Sequence, residues 1–174
     1  QCNLLVKALI ELLLSFEDTR DHNEDDGKQL VAILATLSVF SQTYPELLVP
    51  HVDTLLPYLK GDNGVKRYEA AVVSQVSSMI SVASSHFSSG ELSRLTSGEL
   101  PTDLVNICYK FPSEAVTSAV EALAKLANHP DATSDSIQEK KLLKLATQFY
   151  SYLLKTKDVT NDFSSMKKSV RDNV

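Results

Sequence analysis

Tryptophan is absent from this chain, and glycine, methionine and cysteine are scarce, at five, two and two among 174 residues. Cys2 and Cys108 lie too far apart in sequence to form a disulfide framework or a metal knuckle, which fits a reducing compartment. No apolar run approaches the ~20 residues needed to span a bilayer, and no signal-peptide pattern opens the chain. Phosphate-cradling glycine loops, His-Glu-x-x-His pairs, Cys-x-x-Cys and Gly-x-Ser-x-Gly are all missing, so the sequence offers no catalytic constellation and implies no cofactor. Alternating β-branched runs joined by hairpin turns are missing too.

What remains is helical. Hydrophobic residues make up 43% and charged residues 22%, the balance of a folding domain rather than a disordered one. Apolar residues recur at three- and four-residue steps, and the glycines, at 27, 61, 64, 90 and 98, fall where breaks between helices are expected. The chain opens Gln1-Cys2-Asn3 without an initiator Met, which reads as a segment of a longer protein. Residues 1–16 read as the end of a preceding repeat helix and 17–27 as an acidic loop. Residues 28–157 read as helical repeats, and 158–174 as a short helix or tail.

The spacing predicts helices over 28–42, with Leu30, Ile33, Leu34, Leu37 and Phe40 on one stripe, and over 45–59. Thr43 and Glu46 have capping-box spacing before the second of these, and Pro50 bends or restarts it near His51. A long helix over 65–86 carries Val72, Val76, Met79, Ile80 and Ala83 on one face and serines on much of the rest. Ser88 with Glu91 caps a short helix, and another covers 102–110. The helix begun near Pro112 sets Val116, Val120, Leu123 and Ala127 inward, and the last long one covers 137–155. Paired as 28–42 with 45–59, 65–86 with 102–110 and 113–128 with 137–155, these helices make an all-α, HEAT-like α-solenoid of stacked antiparallel hairpins. A globular helical bundle is the alternative architecture.

Net charge is −5, unevenly spread: residues from 137 onward carry 8 basic and 4 acidic side chains. Lys140, Lys141, Lys144, Lys167, Lys168 and Arg171 cluster there, a candidate contact for DNA or an acidic partner set against the more favoured reading of a solvated face. Nearby Phe149, Tyr150 and Tyr152 have helical spacing and read as core rather than as base-stacking platforms. The acidic stretch 17–26 lacks the alternating oxygen ligands of a calcium loop and reads as a solvated linker. His22, His51, His86 and His129 sit at or near helix ends, some 30 residues or more apart, which favours capping roles over metal ligation.

The run Leu34-Ala35-Thr36-Leu37-Ser38-Val39-Phe40, then Tyr44-Pro45-Glu46-Leu47-Leu48-Val49-Pro50-His51, then Leu55-Leu56-Pro57-Tyr58-Leu59, resembles the C-terminal HEAT repeats of the cohesin-loader large subunit, the Nipped-B/adherin family. A looser likeness in helix placement extends to about residue 157 and includes Ala122-Leu123-Ala124-Lys125-Leu126-Ala127. The resemblance implies a non-catalytic nuclear scaffold on chromatin. It would engage cohesin's ATPase heads and kleisin subunit and, weakly and without sequence preference, DNA. ATP hydrolysis would be cohesin's own, and the loader's small partner subunit would bind a different region of the parent chain. No single contact residue carries over. The alternatives are another HEAT scaffold, of the nuclear transport receptor or phosphatase scaffold type, and an enzyme on a helical bundle.

Overall fold

The computed structural model describes residues 2–17, 24–60, 66–112 and 115–131. Every regular element among them is helical. Helix α1 (Cys2–Glu17) has neither proline nor glycine, and its Val6, Leu9, Ile10 and Leu13 form a buried stripe at helical spacing.

Helix α2 (Glu24–Thr43) begins four residues before the position the apolar stripe suggested. Glu24, Asp25 and Asp26, read as loop from their crowded charge, occupy its first turn, where the positive end of the helix dipole favours carboxylates. Lys28 Nζ then lies 3.0 Å from Asp25 and 3.9 Å from Glu24. Gly27 marks no break: it is buried inside α2, at a helix-propensity cost of about 0.5–1 kcal/mol. Leu30, Ile33, Leu34 and Leu37 are buried as expected, and Phe40 packs half-buried beside them.

Residues 45–60 do not form the single helix expected. Pro45, Pro50 and Pro57 each remove a backbone donor and disfavour helical geometry in the residue before. The segment therefore breaks into 3-10 turns at Pro45–Leu47 and Val49–His51, a one-turn helix α3 (Val52–Leu55) and a further 3-10 turn at Leu56–Lys60. The restart after Pro50 matches the sequence reading; the Thr43–Glu46 capping box does not form. Thr43 instead ends α2, and Tyr44, at the N-cap, makes no side-chain capping bond. Leu48, Val52, Leu55 and Leu59 nevertheless all reach the core.

Helix α4 (Glu69–Ala83) is the centre of the structure. Val72, Val73, Val76, Met79 and Ile80 are at most 1% exposed, and buried serines fill the spaces between them. Ser77 satisfies its hydroxyl by donating to the Val73 carbonyl at 2.7 Å, which lets a small polar residue sit at a close helix contact. Helix α5 (Ser89–Ser97) starts with the expected capping box: Glu91 N–H donates to Ser88 Oγ at 3.3 Å, and Ser88 N–H to Glu91 Oε2 at 2.9 Å.

Helix α6 (Leu100–Lys110) begins two residues earlier than expected, with Pro101 in the first turn where a missing N–H costs nothing. Helix α7 (Val116–Ala127) buries Ala119, Ala122 and Leu126, with Ala115 just before it. The stripe expected there is displaced: Val116, Val120 and Leu123 are half-buried and Ala127 is exposed. Small residues on the buried seam allow close packing, and Ser74 and Ser118 hydroxyls meet across α4 and α7 at 3.2 Å.

The elements stack in two layers. Helices α2, α4 and α7 lie side by side in one; α1, the 45–60 segment and α6 lie against them in the other. The hairpins are thus α1 with α2, the 45–60 segment with α4, and α6 with α7, so the expected pairs of 28–42 with 45–59 and of 65–86 with 102–110 are out of register by one helix, while the expected helix over 137–155 and the tail 158–174 lie outside the described residues. Helix α5, extra to this pattern, packs on α6. The arrangement is all-α and agrees with a HEAT-like stack.

Candidate functional site

Where the Leu56–Lys60 turn meets α6, the surface opens into a groove of about 640 Å³. Buried Leu59 and Ile107 form part of its lining, with half-buried Phe111 beside them. The polar lining comes from Lys60 on one side and from Thr102, Asp103, Asn106 and Lys110 on α6. Helical spacing aligns Thr102, Asn106 and Lys110 at four-residue steps along one ridge.

Its charges are mostly matched. Lys60 Nζ lies 3.3 Å from Glu99 Oε2, linking the middle hairpin to the α5–α6 connection. Lys110 Nζ lies 3.4 Å from Glu69 Oε2, whose side chain is only 10% exposed, and 5.4 Å from the Phe111 ring centroid. Desolvation pushes the Asp103 carboxyl above the usual carboxylate range, partly offset by the Lys60 charge. Further ion pairs bridge the stack, Arg67 to Glu24 at 2.7 Å and Arg94 to Asp53 at 2.8 Å. Both are exposed, so each contributes about 0–1 kcal/mol.

Among the described residues no three His, Cys, Asp or Glu side chains converge to hold a metal. Cys108 is buried, its S–H donating to the Leu104 carbonyl at 3.3 Å, and burial pushes its thiol up to about 12, which removes it as a nucleophile. His129 is buried after α7, its Nδ1 accepting the Asp131 N–H at 3.1 Å, a local turn-capping role. Partial burial, with the Lys7 charge adding, pulls His51 below the ordinary imidazole value. His86 is exposed at the end of the 84–86 turn, and His22 lies outside the described residues.

The basic candidates Lys140, Lys141, Lys144, Lys167, Lys168 and Arg171 lie outside the described residues, as do Phe149, Tyr150 and Tyr152. The groove itself escaped the sequence reading. Lys60 and Asn106 meet only through hairpin stacking, and no local pattern in one sequence announces that. Apolar side chains also remain uncovered on α1: Leu4 is 73% exposed, and Leu5, Leu12 and Leu14 are just under half exposed.

No protein-family model matches the chain, and no solved structure does. The chain is 28% identical over 130 residues to Nipped-B-like protein B of Danio rerio, covering 73% of this chain and 4% of that protein. Over 61 residues it is 38% identical to the Nipped-B-like proteins of Mus musculus and Homo sapiens, covering 33% of this chain and 2% of each. It therefore spans a few per cent of the length of the curated relatives it matches, 5% for Nipped-B-like protein A of Danio rerio. By its sequence, this chain, helical throughout its described regular elements, is similar to part of the Nipped-B-like proteins.

Proposed function

We propose that this chain is a non-catalytic HEAT-repeat segment of a cohesin loader, acting in the nucleus on chromatin to promote cohesin loading and sister chromatid cohesion. The observation that carries the proposal is likeness to a Nipped-B-like protein across 73% of the chain. The layered helical stack of the described residues is in keeping with it. In this reading the parent protein engages cohesin's ATPase heads and kleisin subunit and stimulates hydrolysis carried out by cohesin. The small partner subunit binds elsewhere on that parent, and Lys140, Lys141, Lys144, Lys167, Lys168 and Arg171 contribute a weak, sequence-independent DNA contact.

Affinity capture of the full-length parent protein from nuclear extract, followed by mass spectrometry, tests this. Cohesin ATPase and kleisin subunits in the eluate are the expected result. Their absence, with transport or phosphatase components in their place, overturns the loader assignment and leaves the helical-repeat architecture standing. The DNA contact has its own test: changing Lys140, Lys141, Lys144, Lys167 and Lys168 to Glu should abolish salt-sensitive DNA binding by the chain, and undiminished binding removes that part of the proposal.

A further inference from the structure

We infer that the groove between the Leu56–Lys60 turn and α6 is a docking site for an extended peptide segment that presents a basic side chain next to an apolar one. Thr102, Asp103 and Asn106 line the groove, and among the described residues none of their side chains has a hydrogen-bond or ion-pair partner. The Asn106 amide supplies donors and an acceptor together, and the Thr102 hydroxyl does the same one turn away. An extended backbone offers that mixture along its length, whereas a helix has already used most of its N–H and C=O groups internally.

Charge selects the side chain. Lys60 and Lys110 pair with Glu99 and Glu69, so the groove carboxylate without an ion pair is Asp103, which the Lys60 charge offsets only in part. Partial desolvation strengthens its attraction for a cation beyond that of an open surface carboxylate. A nucleic-acid backbone would set phosphates against Asp103 and Glu99 and finds no unmatched cation here. Ile107 and Phe111 supply the adjoining apolar contact. A volume of about 640 Å³ falls within the ~300–1,000 Å³ of ordinary ligand sites and accommodates a few residues.

The inference stands on the groove alone and is independent of the loader assignment. Failure of cohesin capture would leave it intact, and failure of peptide binding would leave that assignment intact. The test is a titration of the isotope-labelled 174-residue chain with two capped pentapeptides, one with arginine at its centre flanked by leucines, the other with glutamate in place of arginine. The arginine peptide should give saturable NMR shifts at the Asn106 side-chain amide and along α6. The glutamate peptide should bind at least about tenfold more weakly, since a hydrogen-bonded charge pair contributes ~1.5–3 kcal/mol. Asp103→Asn should erase that preference and Asn106→Ala should weaken both peptides, with helical circular dichroism confirming that each variant folds. No shifts with either peptide, equal affinity for the two, or an arginine preference that survives Asp103→Asn overturns the proposal. Should Asp103→Asn fail to fold, the comparison of the two peptides on the unaltered chain decides alone.

Discussion

The phenol of Tyr58 donates to the backbone carbonyl of Leu13 across 2.9 Å, a buried bond between residues 45 positions apart in sequence. It fastens the middle hairpin to α1 at a point where apolar packing alone would leave a hydroxyl dehydrated. Tyr58→Phe should therefore keep the fold and lower stability by about 1–2 kcal/mol, the usual cost of losing a buried hydrogen bond. Urea denaturation followed by circular dichroism reads this directly, and an unchanged midpoint would mean that the bond contributes nothing.

Neighbouring positions on α2 should behave oppositely. Leu37 is fully buried and Val39 is 69% exposed. Leu37→Ala removes packing and leaves a cavity, at a cost of about 2–5 kcal/mol. Val39→Ala should fall within about 0.5 kcal/mol of the parent. Comparable losses at both sites would refute the assignment of α2's inner face.

Cys108 predicts an alkaline limit to stability. Burial pushes its folded thiol up to about 12, whereas an exposed thiol in the unfolded chain has the ordinary value of 9.0. Between those values the unfolded chain gives up a proton that the folded chain keeps, so stability falls as pH rises above 9. Cys108→Ala should flatten that part of the profile. Iodoacetamide at pH 8 should label half-buried Cys2 well before Cys108, as followed by mass spectrometry of the peptides.

The uncovered leucines of α1 predict self-association of the isolated chain. Sedimentation should show weight-average mass rising with concentration, and changing Leu4, Leu5 and Leu12 to Ser should suppress the rise. A strictly monomeric parent chain at all concentrations would rule this out.

Helix type was legible wherever one physical signal dominated. The α2 stripe, the Ser88–Glu91 cap and the long α4 helix follow from apolar spacing and capping chemistry. Four features were not. Glu24–Asp26 looked like a loop because clustered like charge repels, and the helix dipole that rewards carboxylates in a first turn outweighed the repulsion. Pro45, Pro50 and Pro57 act together, so an apolar pattern compatible with one helix became four short pieces. Hairpin pairing depends on which faces meet in three dimensions, and apolar stripes broad enough to serve two neighbours leave that undetermined. The groove was illegible for the same reason, since Lys60 and α6 become neighbours only after stacking.

The proline-broken segment 45–60 has a kinetic consequence. Its inward side chains Leu48, Val52, Leu55 and Leu59 are buried much as the core residues of α4 are, but three of its positions donate no backbone hydrogen, and much of its backbone is held by the weaker i to i+3 bonds, such as Leu48 N–H to Pro45 O at 3.1 Å. Burial and amide protection should therefore part company here. Deuterium should enter the backbone of 45–60 well before that of the adjoining α4, so that the least protected step of the stack lies in its middle layer pair, with the packing around it undisturbed.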